Sequence, residues 1–359
     1  MDFTPSPSQQ LLIATARDFL RRHCPPETAQ RLALDAHGFD EALWRRMAEL
    51  GWPGLLIPGD LGGSDGSLLD VVLLVEEMGR AGLPGPFVAS AVVATSLLIS
   101  AGHTRLLPAL ATGERIATLA LVEEEGSFDP RAVSLRGEMP GRFSGRKLFV
   151  KDAHVATDLI VVLSDGDLLL LPADRPGIAR LPFDTLSGEK LFEVTFDAVE
   201  VRAEDRLGRS AGALGVALAA GALARTAEMV GAAQRVLDLA VEHARTRVQG
   251  GRPIGGYQAI QHACADIVRD VDTSRGLLYL AAWKVSEGVP AESDMATAKA
   301  YAGEACLTVA RRGHQIFGAI GYCEEHPLHL LHKRIQAASL DFGGAGLHLE
   351  TVARAIGLR

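Results

Sequence analysis

The sequence predicts a mostly helical α+β protein, with helices at both ends of the chain and a small β-region between them. Three observations predict it. Apolar residues recur at helical spacing early in the chain, as at Leu12, Ala16, Phe19 and Leu20. The period then drops to two, where Phe192, Val194 and Phe196 alternate with Glu193, Thr195 and Asp197. After Leu207 the helical spacing returns and is sustained, through Val230, Ala233, Leu237, Val241, Ala244 and Val248. These changes of period place domains at 1–113, 114–206 and 207–359.

Each element has its own signal. Ser6-Pro7-Ser8-Gln9 reads as a capping box that opens the first helix, with Pro7 in its first turn. A second helix starts near Asp40, carries Leu43, Trp44, Met47 and Leu50, and stops at Gly51 before Pro53. Ser67 to Asp70 opens a third, running through Val71–Met78 to Gly79, and more helix follows from Val88 towards Leu110. Ile116–Leu121, Phe143–Val150, Leu159–Leu163, Leu168–Leu171 and Leu191–Val201 read as strands. Asp165-Gly166 between two of them marks a type I′ hairpin, which needs positive φ at both central residues. Ile260, Cys264, Ile267, Val271, Leu278, Ala281 and Val285 line one long helix, and another runs from Ser293 to Phe317. Such long stripes imply helices packed on each other as in a bundle.

Composition excludes several classes. A chain of 359 residues buries roughly three quarters of its unfolded surface without staples. With 48% hydrophobic and 22% charged residues it is not a disordered chain. A net charge of -8 argues against a nucleic-acid partner, which needs a basic face. The four cysteines form neither a CxxC pair nor a Cys/His ligand set, and scattered thiols suit a reducing cytoplasm. Met1-Asp2-Phe3 lacks the basic start of a signal peptide. The uncharged stretches Phe87–Gly102 and Ser210–Ala224 fall short of the ~18–20 apolar residues of a membrane span. They read as core helices, and no membrane partner is expected. His326, His329 and His332 follow a helical spacing, but no carboxylate completes a ligand set, so no metal is expected.

The chemistry-bearing segments lie in the last third. Arg247-Val248-Gln249-Gly250-Gly251-Arg252-Pro253-Ile254-Gly255 joins two long helices, and Gln315-Ile316-Phe317-Gly318-Ala319-Ile320-Gly321 ends another. Arginine and exposed amides in Gly-rich connections can hold an anion such as phosphate, although each segment alone also reads as a plain turn. Their order with Gln258-Ala259-Ile260-Gln261, Ala265-Asp266-Ile267, Ala281-Ala282-Trp283 and Ala298-Lys299-Ala300 resembles the C-terminal domain of acyl-CoA dehydrogenases. The resemblance spans the chain: Glu49 to Trp52, Leu61 to Ser64, Glu76 to Gly79, Leu121-Val122-Glu123 and Gly145 to Ala153 match the earlier domains.

The resemblance implies an N-terminal helical domain, a β-barrel-like middle domain and a C-terminal four-helix bundle. It implies FAD as cofactor and an acyl-CoA substrate of fatty-acid or steroid side-chain type. A tetramer is implied, with electron-transfer flavoprotein as a possible acceptor. It assigns the FAD pyrophosphate and adenosine of a neighbouring subunit to Arg247, Gln258, Gln315, Gly318 and Gly321. Arginine suits that role because its planar fork grips phosphate oxygens.

Departures from the family pattern are specific. The two family positions of the catalytic Glu hold Phe342 and Val248, neither of which takes a proton, and the nearest carboxylate is Asp341. At the flavin-ring side, family hydroxyls are replaced by Val122 and Lys151. Gly250 replaces the aromatic of the family's R-x-x-F-G. Gly321-Tyr322-Cys323-Glu324-Glu325-His326 resembles the G-F-T-W-E-H stretch of the subunit without the Glu in mixed α2β2 enzymes. The expected role is the non-catalytic partner of a homologous catalytic subunit. A self-sufficient dehydrogenase using Asp341, a flavin monooxygenase on the same fold, and an assembly protein without flavin stay open.

Overall fold

The computed structural model describes residues 4–137, 141–164 and 166–358. The chain gathers into two compact units. One comprises residues 1–31, 68–83 and 222–359, and the other residues 32–67 and 84–221.

In chain order the first helices are α1 (Pro7–His23), α2 (Pro26–Leu34), α3 (Glu41–Glu49) and α4 (Leu68–Ala81). The capping box at the start of α1 is present, with the Ser6 hydroxyl accepting from the Gln9 amide and the Gln9 side chain accepting from the Ser6 amide. Asp40 caps α3 by accepting from Leu43 N–H, and Gly51 ends it at φ +74°. Helix α2 escaped the sequence reading; its one local signal is Pro26 and Glu27 at the start. Helix α4 runs two residues past Gly79 and stops at Gly82, whose φ is +67°.

The expected continuous helix from Val88 towards Leu110 is broken. Val88–Ala94 is a π-helical turn that continues into α5 (Thr95–Ser100), and α6 (Leu107–Ala111) is separate. Thr95 Oγ1 donates to Ser90 O, five residues back, which matches the wider π spacing. Gly102 at φ +74° then turns the chain out of the helix.

The middle strands are β1 (Ala117–Ala120), β2 (Gly141–Lys151), β3 (Asp158–Val162), β4 (Asp167–Pro172), β5 (Ile178–Pro182), β6 (Leu191–Val201) and β7 (Arg206–Arg209). They form two sheets, in the orders β1-β3-β4-β7 and β2-β6-β5. All pairs are antiparallel except β1 with β3, which is parallel in the register Ala117↔Asp158. Strand β2 carries register shifts between Phe143 and Gly145 and between Lys147 and Val150. In the second bulge Phe149 adopts φ +54°, is 46% exposed and lies 5.2 Å from the Phe183 ring. The β3–β4 hairpin closes through Gly166 N–H to Leu163 O, while Leu163 N–H reaches Asp167 O over three intervening residues. That is one residue longer than a two-residue type I′ loop. Gly166 has φ +79°, and Asp165 lies outside the described residues.

Beyond the sheets come α7 (Ala211–Thr246), a two-stranded ribbon of β8 (Val248–Gln249) and β9 (Arg252–Pro253), then α8 (Gln258–Ser286), α9 (Glu292–Phe317), α10 (Leu328–Leu340) and α11 (Ala345–Ala355). Helices α8, α10 and α11 all pack on α9. Residues Gly212–Thr246 of α7 are long and apolar enough to cross a membrane by composition, but 78% of the most apolar window is buried within the protein.

Helix α4 crosses α7 at backbone contact in the first unit. A Cβ on Gly79 would lie 2.2 Å from Glu228 O, and one on Gly231 would lie 1.9 Å from Glu76 O. Gly231→Ala is therefore expected to destabilise by several kcal/mol, as overpacking does, and to lower the urea midpoint sharply. Gly276 in α8 has open space around its Cβ position, so Gly276→Ala is expected to raise stability by roughly 0.4–1 kcal/mol. Equal midpoints for the two variants would refute this account of the crossing.

Candidate functional site

Arg247 follows directly on α7, and the chain reverses within four residues. The ribbon pairs Gln249 with Arg252, which leaves Gly250 and Gly251 as a two-residue turn at φ +58° and +81°. Two consecutive positive φ values are what a type I′ hairpin needs. Tyr257 O–H donates to Gln249 O at 3.0 Å, and a Cβ on Gly250 would lie 2.5 Å from that hydroxyl. The glycine in place of the family aromatic thus has a local cause. The Arg252 guanidinium lies 4.2 Å from the centre of the Tyr257 ring, and Ile254 N–H donates to Arg247 O. The Arg247, Val248 and Gln258 side chains are exposed, with Gln258 opening α8.

The end of α9 lies beside the end of α7. The His243 ring stacks on Phe317 with 4.5 Å between centroids, and Phe317 lies 4.4 Å from His326. Four residues past His243 is Arg247; next to Phe317 is Gly318, with exposed Gln315 just before. The structure therefore brings Arg247, Gln258, Gln315 and Gly318 to one end of the bundle. Gly318 has φ +66° and nothing within 4 Å of its Cβ position, so its backbone is open to approach. Gly321 differs. It is buried, and a Cβ there would meet Phe317 Cβ at 2.9 Å, so it serves packing of the turn. The His314 ring stacks on Tyr322 at 4.7 Å and lies 5.0 Å from His332. Among the described residues no three His, Cys, Asp or Glu side chains gather as a metal set.

Asp341 caps α10, and its Oδ2 lies 2.9 Å from Arg225 Nε. Arg225 also binds Glu228, whose other oxygen accepts from Arg334 at 2.8 Å. Lys299, 1% exposed, donates to Ser339 O at 2.8 Å and Gly343 O at 3.1 Å. Burial pushes its ammonium down to about 8, with nearby Asp341 opposing and Arg225 assisting. Asp341 is thus held by a guanidinium in a buried cluster of charges. Phe342 is buried at φ +55°, and its carbonyl accepts from His348 Nε2. Arg225 was not visible as a site residue in the sequence, because its role depends on a partner 116 positions away.

The other unit holds Val122 and Lys151. Val122 is 4% exposed, and its carbonyl accepts from Leu148 N–H. Lys151 Nζ lies 3.6 Å from Glu189, and Lys151 O accepts from Thr118 Oγ1. Beside Val122, Glu123 is bonded by fully buried Lys147 at 2.7 Å and by Ser134 and the Leu135 amide. Burial alone would raise the Glu123 carboxyl; these donors outweigh it and hold it down at about 2.

The matches to family models now decide the family. Residues 6–114 match the acyl-CoA dehydrogenase N-terminal domain, and residues 212–357 the acyl-CoA dehydrogenase C-terminal domain. The chain belongs to the acyl-CoA dehydrogenase family. Acyl-CoA dehydrogenase IpdE2 of Mycobacterium tuberculosis is 30% identical over 94% of this chain and 93% of its own length. The ChsE4-ChsE5 complex of the same organism contains a chain 29% identical, with a TM-score of 0.91 and full coverage of both chains. The Tcur3481-Tcur3483 steroid ACAD G363A variant is likewise 29% identical, with a TM-score of 0.87 and 98% coverage of both chains.

FAD is the cofactor implied for a member of this acyl-CoA dehydrogenase family. The exposed cation, amide side chains and open glycine backbone at the bundle end fit its phosphate and adenosine part. Val122 and Lys151, the positions the resemblance assigns to the flavin ring, carry no hydroxyl.

Asp341→Asn removes the charge facing Arg225 and is expected to cost about 1–3 kcal/mol in urea unfolding. It should leave turnover of an active assembly unchanged; a several-hundred-fold fall in kcat would make Asp341 the base. A second expectation concerns acid. Burial lowers the imidazoles of His243, His314, His326 and His332. The unfolded chain then takes up protons at higher pH than the folded one, so stability falls as pH drops through the ordinary imidazole range. The urea midpoint should fall from pH 7 to pH 5, and fall less in His314→Phe.

Proposed function

We propose that this chain is the subunit without the catalytic carboxylate in a mixed α2β2 acyl-CoA dehydrogenase. In this reading it lends the pyrophosphate and adenosine end of the FAD site to a homologous partner subunit. The observation that carries the proposal is an asymmetry among its own residues. Arg247, Gln258, Gln315 and Gly318 stand exposed at one bundle end. The base positions hold buried Phe342 and aliphatic Val248, and Asp341 is ion-paired with Arg225.

FAD supplies the hydride acceptor for α,β-dehydrogenation of an acyl-CoA thioester. In this reading Arg247 grips phosphate oxygens, Gly318 lets the backbone approach them, and Gln258 and Gln315 donate amide hydrogens. The partner contributes the ring pocket and the base. The names of the relatives support the pairing: ChsE4-ChsE5 is a complex of two differently named chains, and the Tcur3481-Tcur3483 protein is called a steroid ACAD. A fatty-acid or steroid side-chain thioester as substrate, electron-transfer flavoprotein as acceptor and a cytoplasmic location belong to the same proposal. So does division of the chain into a helical domain at 1–113, a β-domain at 114–206 and a bundle at 207–359.

The lone chain is expected to hold little FAD and to reduce no dye acceptor with a saturated acyl-CoA. About one FAD per chain would instead favour a self-sufficient enzyme or a monooxygenase, which NAD(P)H as reductant separates. Co-expression with a related chain carrying the Glu is expected to give an α2β2 tetramer with near two FAD. Arg247→Ala in this chain should weaken FAD binding in that tetramer by roughly 1.5–3 kcal/mol, the size of a charge-assisted phosphate contact. Added FAD should partly restore activity. Unchanged FAD retention would defeat the trans-donation reading.

A further inference from the structure

The sheet-containing unit holds a cavity of about 420 Å³ at the end of the β1-β3-β4-β7 sheet, where Asp158 pairs with Pro172. That volume lies in the range of small-molecule pockets. Its wall is unusually cationic for a chain of net charge -8. Five arginines line it, Arg105, Arg115, Arg175, Arg202 and Arg206, against three carboxylates, Asp158, Glu204 and Asp205.

Pairing inside the wall shows which charges are spent. Arg115 binds Asp158 through two bonds, of 2.8 and 2.5 Å. Arg175 binds Asp205 in the same two-bonded way and also donates to Glu200 O. Both carboxylates are buried, at 3% and 4% exposure, so these pairs are fixed parts of the frame. Arg206 reaches Asp167 at 2.6 Å. Among the described residues Arg202 faces Glu200, 3.7 Å away, and also Asp205, whose carboxyl its charge helps to hold down, and 57% of its side chain is exposed. Arg105 is exposed and forms no hydrogen bond or ion pair among the described residues. Glu204 is the lining carboxylate that forms no ion pair among the described residues. The floor is apolar, with Leu98, Leu106, Leu170 and Leu207.

We propose that this cavity binds a small organic phosphate monoester, with its phosphate between Arg105 and Arg202 and its apolar body on the leucines. A phosphate matches the site because it carries up to two charges and several acceptor oxygens, which suit two guanidinium forks. Five arginines against three carboxylates on the concave lining itself, with Asp167 and Glu200 behind it, favour an anion there even though the whole chain is negative. The leucine floor separates this site from a bare phosphate site, since an unsubstituted ion would leave it uncovered. The site shares no residue with the bundle-end group around Arg247.

The test uses phenyl phosphate, inorganic phosphate and benzoate, titrated calorimetrically into the full chain. Phenyl phosphate is expected to bind saturably and at least tenfold more tightly than the other two. Arg105→Gln together with Arg202→Gln should weaken it twentyfold or more. The single variant Arg105→Gln, at an exposed and unpaired residue, should weaken it severalfold with an unchanged Tm, which guards against misfolding of the double variant. Arg247→Ala should leave binding unchanged. The proposal is overturned by absence of saturable binding, by equal affinity in the Arg105 variant, or by loss in Arg247→Ala, which would put the ligand at the bundle end.

Discussion

The crossing of α4 on α7 within the first unit is the constraint on which its other contacts depend. Gly79 and Gly231 let the two backbones touch, with Glu76 O and Glu228 O lying where a Cβ would be. At that separation the α4 side chains have no freedom to move outward, and all from Val71 to Met78 are buried. Two of them are glutamates, so the crossing forces carboxylates into the interior. Each is met by a cation: Glu76 by Arg275 at 2.8 Å, with Tyr279 donating at 2.7 Å, and Glu77 by Arg17 at 2.6 Å. A buried carboxylate without such partners would be strongly destabilising, so these residues are tied to one another through the glycine contact.

The same physics commits the Asp341 carboxylate to an ion pair with Arg225. Glu228 belongs to the α7 segment beneath the crossing, and it fixes Arg225 and Arg334 together. Arg225, already buried, then needs a second anion, and Asp341 supplies it. Lys299 holds the adjoining turn by its carbonyls, on both sides of Phe342. The end of α10, to which the resemblance assigns the base position, is held by the Arg225 guanidinium on Asp341 and by the Lys299 ammonium on the Ser339 and Gly343 carbonyls.

Much of this was legible in the chain itself because the signals were local. The Ser6–Gln9 box, the Asp40 cap, the Gly51 stop and the alternation through β6 each depend on neighbours a few residues apart, and each formed as read. The errors were also local in origin. The Val88–Leu110 helix looked continuous because its residues are apolar throughout, while the Thr95–Ser90 bond and Gly102 redirected it. The resemblance assigned Arg247, Gln258, Gln315 and Gly318 to the cofactor, and all four are exposed. Gly321 could not be told from Gly318, since burial separates them and burial is set by Leu328 and Phe317.

By itself the sequence determined the helical, sheet and helical order, the family, and the absence of an ionisable side chain at positions 248 and 342. The element order and the missing side chains follow from short-range period and residue type, which no packing alters, and the family from a resemblance of motifs spread along the chain. Only the tertiary structure decided what the remaining charges do. It committed Asp341 to Arg225, drew the ends of α7 and α9 together through His243 and Phe317, and left Arg105 without an ion pair, among the described residues, beside a leucine-lined cavity. Whether a charge is spent or available depends on which opposite charge folding brings within about 4 Å, and sequence separation does not set that distance.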